Sequence, residues 1–332
     1  MKNNFSVLSI VGTTATGKTE LALQLAQKII LDQQFEVVNL ISADSRQVFE
    51  GIEVLSGADI PADFVKKPAD KFSWLPYFQK NQIRLFGVGC LEPTAEWSVS
   101  QFVEFARKII LSAQVKNEAV IIVGGTGLYH DHLFSVDPQL MVPPNKVLRE
   151  KTATLLLEEL QAMALRQIPD HWQQMNHSDQ HNPRRIIRAL EIAQSKLKFS
   201  LSADLLTLSK IKHSYLGITT DLETIFKKIE QRVAARIKAR AIEEVKTLTA
   251  QHQSDLSQQL ITATGFQPLQ QYLTQQISLD ESLTQWILSE KQYVKRQLTW
   301  WKKHADVTWF DRSAPNWQTQ ALKFGQDSLA SC

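Results

Sequence analysis

The residues of this chain that are best suited to chemistry lie in one short stretch near its beginning. Residues 12–19 satisfy the phosphate-loop pattern G-x-x-x-x-G-K-[ST] at every fixed position. In such a loop, glycines let backbone N–H groups surround a phosphate, the lysine adds positive charge, and the last hydroxyl can bind Mg²⁺. The pattern predicts a phosphate or diphosphate site without saying which molecule carries the phosphate. The predicted phosphate-binding residues are Gly12, Thr13, Thr14, Ala15, Thr16, Gly17, Lys18 and Thr19.

A carboxylate, Asp44, follows the second apolar segment of the chain, residues 37–41. If that segment is a parallel strand, the carboxylate lies at its C-terminal end, where α/β proteins bind their ligands. Three interpretations of Asp44 stay open: a surface turn, a Mg²⁺ ligand, or a general base that faces the phosphate loop. Gln47, three residues further on, either hydrogen-bonds the edge of a base or is simply solvated.

Glycines follow the third apolar segment, residues 119–123, at the point where an ordinary nucleotide hydrolase carries an acidic residue. The sequence Gly-Gly-Thr-Gly at residues 124–127 therefore argues against such a hydrolase. Glycines permit close approach of the backbone, and the hydroxyl of Thr126 can donate to a phosphate oxygen. The alternative is a tight turn that contacts no ligand.

These candidates need elements that bring them together, and the first half of the chain alternates strand-like with helix-like segments. This alternation predicts parallel β-α-β units that bind ligands at the C-terminal ends of their strands. Continuous apolar runs predict buried strands, and helical spacing of apolar residues predicts amphipathic helices. The predicted strands are residues 5–11, 37–41 and 119–123, and the predicted helices are residues 19–31 and 101–113.

Longer helices dominate the prediction for the second half of the chain, which follows a break at the two prolines 143–144. Asn and Pro at residues 182–183 are typical of a helix start. Thr220 followed by Glu223 fits a capping box, and predicts a long helix that runs to about residue 252. The other predicted elements are helices at residues 148–165 and 290–304 and strands at residues 215–218 and 307–310.

The composition is that of a globular protein. Of the 332 residues, 43% are hydrophobic and 21% are charged, which excludes intrinsic disorder. The chain lacks an apolar run of about 18 residues, so no membrane-spanning helix is expected. The two cysteines exclude a disulfide framework and a four-cysteine zinc site. Since no signal peptide is expected before the first strand, we expect a cytoplasmic protein, and we expect a monomer.

The net charge of +3 is divided unevenly along the chain. Residues 1–150 hold 14 basic and 16 acidic residues, whereas residues 151–332 hold 23 and 18, so the two parts carry −2 and +5. A small basic excess indicates nucleic-acid binding only where the basic residues cluster.

Three basic clusters lie in the second half. Arg184 and Arg188 are four residues apart and share a helix face. Basic residues alternate with aromatic ones within residues 291–302, an arrangement that suits contacts with an RNA backbone and stacking on bases. The third series is read as a solvated helix face and consists of Arg232, Arg236 and Arg240.

Five motifs in a fixed order resemble one family, the tRNA dimethylallyltransferases, also called tRNA isopentenyltransferases. The phosphate loop is similar to the family's G-P-T-A-S-G-K-T, and residues 44–49 are similar to its D-S-x-Q-v-Y. The family's V-G-G-T-G-L-Y and R-R-x-x-R-A-L-E are intact at residues 123–129 and 184–191. Its Q-Y-x-K-R-Q-x-T-W-f appears at residues 292–301, so the resemblance covers about residues 5–310.

The resemblance implies an α/β fold with a P-loop NTPase-like parallel-sheet core, residues 1–141 and 206–332, and a helical insertion domain at residues 142–205 that contacts tRNA. It implies transfer of a dimethylallyl group from dimethylallyl diphosphate to N6 of adenine-37 in tRNAs that read U-initial codons, which gives N6-isopentenyladenosine. The implied partners are dimethylallyl diphosphate and the anticodon stem-loop of tRNA, with Mg²⁺ as the cofactor and no membrane.

The resemblance also implies roles for single residues. Asp44, Thr126, Lys18 and Thr19 become catalytic, with Asp44 as the general base for N6 and the other three stabilising the departing diphosphate. Thr19 and Asp44 would bind Mg²⁺, and Lys246 would contact the diphosphate where the family carries an arginine. The residues implied in tRNA binding are Asp44, Ser45, Arg46, Gln47, Thr126, Arg149, Arg184, Arg185, Arg188, Gly265, Lys295 and Arg296.

Departures from the family's pattern leave two alternatives. Residues 57–61, 72–86 and 262–268 match the family's motifs poorly, and Lys246 lacks the two-pronged guanidinium of an arginine. One alternative is a tRNA-binding relic of the family with weakened or lost catalysis. The other is a small-molecule P-loop kinase, which would transfer a phosphoryl group from a nucleotide and would not need tRNA.

Overall fold

A computed structural model describes residues 5–330 except residues 72, 136, 196–206 and 253–254. The chain forms two compact units, one made of Met1–Phe134 with Thr207–Cys332 and the other of Ser135–Leu206. The second unit is thus inserted into the first, and it begins at Ser135 rather than at residue 142.

One mixed sheet organises the first unit. Its described strands are β1 Ser6–Gly12, β2 Val38–Ser42, β3 Val65–Lys67, β4 Tyr77–Lys80, β5 Ile83–Phe86, β6 Ala119–Val123, β7 Lys212–Thr219 and β8 Val307–Asp311. Their order across the sheet is β3-β4-β5-β2-β6-β1-β7-β8. The pairs from β5 to β8 are parallel, while β3–β4 and β4–β5 are antiparallel. The predicted parallel-sheet core is confirmed, and it carries an antiparallel extension at one edge.

The central strands β1, β2 and β6 are buried along their whole length. Val7 and Leu8 belong to different apolar clusters, and successive side chains of a strand point to opposite faces, so both faces of the sheet are packed. This is why these strands are continuous apolar runs in the sequence. Val123 of β6 pairs with both Ile10 of β1 and Ser42 of β2. The C-terminal ends of the three strands therefore lie side by side, and the loops that follow them meet there.

Helices account for most of the remaining described residues. They are α1 Lys18–Leu31, α2 Glu53–Ser56, α3 Val99–Lys116, α4 Gly127–Leu133, α5 Lys146–Thr152, α6 Leu157–Gln167, α7 Pro169–Gln174, α8 His177–Gln180, α9 Pro183–Gln194, α10 Leu222–Lys238, α11 Ala241–His252, α12 Gln258–Ile261, α13 Phe266–Leu273, α14 Leu279–Trp301 and α15 Trp317–Leu329, with a 3₁₀ turn at Pro138–Met141. The helices predicted at residues 19–31 and 101–113 are confirmed as α1 and α3. Within the described ranges, no helix is long and apolar enough to cross a lipid bilayer.

The helix predicted from residue 220 to about residue 252 is two helices, α10 and α11. The side chain of Asp221 caps α10 by accepting from the N–H of Thr224, so the predicted capping box of Thr220 and Glu223 is wrong. Arg240, between the two helices, has a φ of 76°. A residue in this left-handed region interrupts a right-handed helix, which explains the break.

The late helix α14 begins at Leu279, well before the predicted residue 290. Its start is a capping box in which the hydroxyl of Ser278 accepts from the N–H of Glu281 and the Glu281 carboxylate accepts from the N–H of Ser278. The box satisfies backbone donors that a helix start leaves without partners. Trp286 and Trp301 on this helix are fully buried, so α14 is a core element along its length.

The inserted unit has a small core of its own. The helix predicted at residues 148–165 is split into α5 and α6, whereas α9 begins as predicted, with the Asn182 side chain accepting from the N–H groups of Arg184 and Arg185. The buried apolar residues of this core are Leu148, Leu160, Ala164, Ile168, Ile186, Ala189 and Leu190.

Candidate active site

A cavity of about 700 Å³ opens at the C-terminal ends of β1, β2 and β6. Its wall includes the phosphate loop, then Asp44 and Gln47 after β2, and the two glycines 124–125 after β6. Three motifs that are far apart in the sequence thus share one site, as the parallel order of these strands predicts. Other elements complete the wall with Asp59, Lys228, Arg232, Gln297 and Arg312.

The phosphate loop turns at two glycines. Gly12 and Gly17 have φ values of 138° and 87°, a region that favours glycine. A Cβ on Gly12 would also lie only 2.4 Å from the carbonyl oxygen of Ile218. The hydroxyl of Thr16 donates to the carbonyl of Thr13 at 2.8 Å, which closes the loop. The loop is therefore shaped before any ligand binds.

Lys18 is the cation of the phosphate loop, and its Nζ donates to the carbonyl of Thr13 at 2.6 Å. Desolvation and, second, the charge of Arg232 lower the pKa of Lys18 from 10.5 to about 8, and Asp44 and Asp59 oppose this shift. An anion in the cavity would stabilise the charged ammonium. The electrostatics of the cavity thus favour a negatively charged ligand.

Gln297, a residue of α14, forms a hydrogen bond with the phosphate loop. Oε1 of Gln297 accepts from the N–H of Thr14 at 2.9 Å, and Gln297 is 5% exposed. A Cβ on Gly125 would lie 2.0 Å from Nε2 of the same side chain and 2.9 Å from the carbonyl oxygen of Gly12, so a larger residue there would displace the glutamine or the loop. No role was predicted for Gln297 itself. Its position inside the motif at residues 292–301 is the signal that could have identified it.

Asp44 lines the cavity and also shapes the turn after β2. Its Oδ1 accepts from the N–H groups of Arg46 at 2.8 Å and Gln47 at 3.3 Å. In the described part of the chain, Oδ2 has no hydrogen-bond donor and remains for a ligand. The amide of Gln47 is held at both ends, because Oε1 accepts from Ser42 Oγ at 2.9 Å and Nε2 donates to the Gly57 carbonyl at 3.0 Å.

Thr19 and Asp44 both line the cavity and offer a hydroxyl and a carboxylate oxygen, which are the hard donors that Mg²⁺ prefers. Among the described residues, no three His, Cys, Asp or Glu side chains assemble into a metal site. A Mg²⁺ ion commonly takes one or two protein oxygens and completes its shell with substrate phosphate and water. The two residues therefore fit an ion that binds together with a diphosphate.

Thr126 begins α4, and its buried hydroxyl has the hydroxyl of Tyr293 as its neighbour. Burial and the charge of Asp44 raise the pKa of Tyr293 to about 12, so this phenol stays protonated at neutral pH. Thr126 itself is not among the residues that line the cavity. Two neighbouring glycines allow other parts of the protein to pack closely against this segment. A Cβ on Gly124 would lie 2.2 Å from Ala43 O, and one on Gly127 would lie 2.0 Å from the Trp300 ring.

A second cation reaches the cavity from α10. Nη2 of Arg232 lies 3.2 Å from Oδ2 of Asp59, and burial and the neighbouring Arg236 lower the pKa of Arg232. One turn later, Arg236 is buried against Glu290. The interpretation of this arginine series as a solvated face is therefore wrong for Arg232 and Arg236, and holds for Arg240.

Lys246, predicted to contact a diphosphate, does not line the cavity. It is exposed on α11, where Val245 and Leu248 are the neighbouring buried residues. The contact with a diphosphate stays a prediction that the cavity wall does not support, because a motif match gives a residue's position along a helix and not the direction of its side chain. Arg232, on the preceding helix, supplies the cavity with a guanidinium instead.

The predicted tRNA-binding residues of the first unit have different environments. Lys295 and Arg296 are exposed on α14. Arg46 is tied locally, since it donates to Ser45 Oγ and Thr262 Oγ1, both at 3.0 Å. Gly265 has a packing role, because a Cβ there would lie 2.4 Å from the buried ring of Trp286.

Two of the four predicted tRNA-binding arginines of the inserted unit contact a buried carboxylate, Glu191. Arg149 Nε and Arg188 Nη1 lie 2.7 Å and 3.2 Å from its oxygens, and the N–H of Asn145 donates to it at 2.9 Å. Burial opposes the charge of Glu191, but these donors hold its pKa below the ordinary value. Arg149 and Arg188 thus connect α5 to α9. The other two arginines, exposed on α9, are Arg184 and Arg185.

Comparison with known proteins identifies similar chains. A family model described as IPP transferase matches residues 76–304. The chain is 30% identical over 323 residues to a tRNA dimethylallyltransferase of Geobacillus kaustophilus (strain HTA426), covering 92% of this chain and 90% of that one. The fold is similar to that of the full-length tRNA isopentenylpyrophosphate transferase from Bacillus halodurans, with a TM-score of 0.65, 24% identity, and coverage of 98% and 96%. It is also similar to a eukaryotic dimethylallyltransferase acting on tRNA, with a TM-score of 0.73, 19% identity, and coverage of 97% and 79%.

Proposed function

This chain belongs to the IPP transferase family and is a prenyltransferase that modifies tRNA, and we propose that it transfers a dimethylallyl group from dimethylallyl diphosphate to N6 of adenine-37. The proposed acceptors are tRNAs that read codons beginning with U, and the product is N6-isopentenyladenosine. The observation that carries the proposal is the single cavity that brings together a phosphate loop, a second cation and a carboxylate. Such a set suits a diphosphate leaving group and a nucleophile that must lose a proton.

The donor's diphosphate would lie on the phosphate loop. Backbone N–H groups at the start of α1 and the ammonium of Lys18 surround that position. Arg232 would exchange its contact with Asp59 for the more highly charged diphosphate. Negative charge grows on the leaving oxygen during the reaction, so these cations stabilise the transition state more than the bound donor.

Asp44 would act as the general base. The exocyclic amine of adenine is a weak nucleophile, because its lone pair is delocalised into the ring. In the proposed step, N6 forms a bond to C1 of the dimethylallyl group, the C1–oxygen bond breaks, and the diphosphate leaves with the bonding electrons. The proton of N6 passes to a carboxylate oxygen of Asp44, whose Oδ1 is already oriented by two backbone N–H groups.

Two further assignments complete the site. Thr19 and Asp44 would hold the Mg²⁺ ion that accompanies the donor, and such an ion neutralises phosphate charge when it is bound. The predicted donation from Thr126 to a diphosphate oxygen stays a prediction, which the burial of its hydroxyl beside Tyr293 makes testable by substitution.

The tRNA would contact exposed basic residues of both units, among them Lys295, Arg296, Arg184 and Arg185. Contacts of this kind bind phosphates and orient the anticodon loop without reading its sequence. The adenine must leave the loop stack to reach a cavity, which costs a few kcal/mol. Because its acceptor is tRNA, we place the enzyme in the cytoplasm. We also propose that it is a monomer, which light scattering would test.

The test is direct transfer. Purified protein is incubated with Mg²⁺, dimethylallyl diphosphate and an anticodon stem-loop carrying adenosines at positions 36 to 38, and the RNA is weighed by mass spectrometry. The mass of one dimethylallyl group should be added, and a stem-loop with guanosine at position 37 should remain unchanged. RNA binding without a mass gain would indicate a relic of the family, and ATP turnover without RNA would indicate a kinase.

A further inference from the structure

Arg312 lines the cavity although it belongs to none of the motifs in the sequence. It directly follows β8, the edge strand, where its backbone N–H donates to the carbonyl of Thr219 at 2.9 Å. Its guanidinium carbon lies 5.2 Å from the ring centroid of Trp317, within the range of a cation–π contact. The first contact fixes the backbone of Arg312 and the second holds its guanidinium, so the fold itself directs the guanidinium toward the phosphate loop.

The guanidinium of Arg312 touches the phosphate loop. Nη1 donates to the carbonyl of Thr16 at 2.6 Å. A Cβ on Gly17 would lie 2.4 Å from the same nitrogen, so the glycine leaves the space that the guanidinium occupies. Gly17 is the N-cap of α1, where backbone N–H groups and the helix dipole favour an anion. The charge of Arg312 is therefore held beside the anion-binding end of the loop.

This charge forms no salt bridge with any described residue, although the carboxylate of Glu20 lines the same cavity. Among the described residues, the partners of the guanidinium are a carbonyl and an aromatic ring rather than a carboxylate, in contrast to Arg232, which pairs with Asp59. Lys228 lines the same cavity, and burial and the charge of Arg312 lower its pKa, although the nearby Glu20 opposes this shift. An anion near these two cations would relieve their repulsion.

We propose that Arg312 is a further diphosphate-binding residue of this enzyme. A guanidinium has five N–H donors, so Arg312 can contact phosphate oxygens while it keeps or releases the Thr16 carbonyl. Its planar fork can bind two phosphate oxygens in a fixed geometry, whereas the ammonium of Lys18 acts as a point charge. Arg312 would strengthen binding of the donor and of the diphosphate product, with no part in proton transfer. This inference rests on the proposed function, since it takes the ligand to be a diphosphate.

The experiment measures binding of inorganic pyrophosphate with Mg²⁺ to the full chain by titration calorimetry. Arg312→Gln removes the charge and keeps a hydrogen-bond donor, and it should weaken binding by about tenfold or more. Arg312→Lys keeps the charge and should lose less. Lys323→Gln, a matched control at an exposed position of α15, removes one positive charge outside the cavity wall and should bind as the wild type does.

Two further readouts separate binding from a structural role. Arg312→Gln should raise the KM for dimethylallyl diphosphate while kcat changes by less than about threefold, and binding should weaken less with added salt than in the wild type. Pyrophosphate binding by Arg312→Gln equal to that of the wild type would overturn the inference, as would equal losses in the Gln and Lys variants. If the wild type itself binds no pyrophosphate, the proposed function fails instead.

Discussion

Arg236 and Glu290 form an ion pair inside the protein, with 2.9 Å between Nη1 and Oε1 and side chains that are only 10% and 8% exposed. Thr264 Oγ1 donates to the same carboxylate oxygen at 2.9 Å. The pair connects α10, which carries Arg232 one turn earlier, to α14, which carries Gln297 two turns later. It therefore sets the spacing between two helices that form part of the cavity wall.

Removing one partner of this pair should destabilise the fold strongly. Glu290→Ala leaves the buried charge of Arg236 without a counterion, and we expect the free energy of unfolding to fall by about 3–5 kcal/mol. Urea denaturation followed by tryptophan fluorescence would measure this. The control is Glu230→Ala, which removes a pair with Lys291 (2.7 Å) between the same two helices at the surface, where Glu230 is 52% exposed. That variant should lose less than about 1 kcal/mol, and equal losses would contradict the prediction.

Asp44→Asn should separate catalysis from structure. The asparagine Oδ1 can still accept from the N–H groups of Arg46 and Gln47, so the turn after β2 is retained while the base is lost. We expect kcat to fall by about 10²–10⁴-fold, with the dissociation constant for the stem-loop unchanged. Single-turnover transfer and a filter-binding assay would measure the two quantities. A variant with more than a tenth of wild-type activity would exclude Asp44 as the base.

Arg232→Gln and Lys246→Gln should behave differently, although each removes one positive charge. Arg232 lines the cavity, so its loss should raise the KM for dimethylallyl diphosphate by about tenfold or more and also lower kcat, since the charge it stabilises grows in the transition state. Lys246 is exposed on α11 away from the cavity wall, so its loss should leave KM unchanged. Steady-state kinetics at saturating RNA would test both. A larger effect at Lys246 would restore the interpretation drawn from the motif.

The pH dependence of donor binding should report Lys18. Its pKa in the free protein is about 8 instead of 10.5, and only the protonated ammonium binds a diphosphate well. Consequently kcat/KM for the donor should fall as the pH rises through about 8, approaching tenfold per pH unit. Lys18→Arg stays charged throughout this range, so its profile should lose that decline. A wild-type profile that stays flat to about pH 9.5 would contradict the assignment.

Several features could be predicted because they depend on neighbouring residues. The positive φ values at Gly12 and Gly17 follow from the loop between β1 and α1, and the loop follows from eight consecutive residues. The buried strands were predictable since both of their faces are packed and every residue is apolar or small. The meeting of Asp44 with the phosphate loop followed from the parallel order of the strands.

Strands and helix ends with only a weak local sequence pattern were missed or were predicted at the wrong residues. The strands β3, β4 and β5 have three or four residues each, and β3 is exposed along its length, so they carry little apolar alternation. The start of α10 shifted by one residue because Asp221 and Thr220 are both good N-caps, and packing selects between them. The break before α11 depends on the conformation of Arg240, which no repeat in the sequence indicates.

The sequence by itself determined the phosphate loop, the parallel arrangement of the buried strands and the three motifs that meet at their ends. Only the tertiary structure decided which basic residues join them. Arg232, Arg236 and Arg240 are identical in type and evenly spaced, yet they lie at the cavity, in a buried pair and at the surface. A step of four residues turns a side chain by about 40° around a helix of 3.6 residues per turn. Side chains spaced evenly by four residues therefore point to different surroundings. Gln297 and Arg312 reach Thr14 and Thr16 across 283 and 296 residues of chain, and only the packing of the helices and strands between them brings them there.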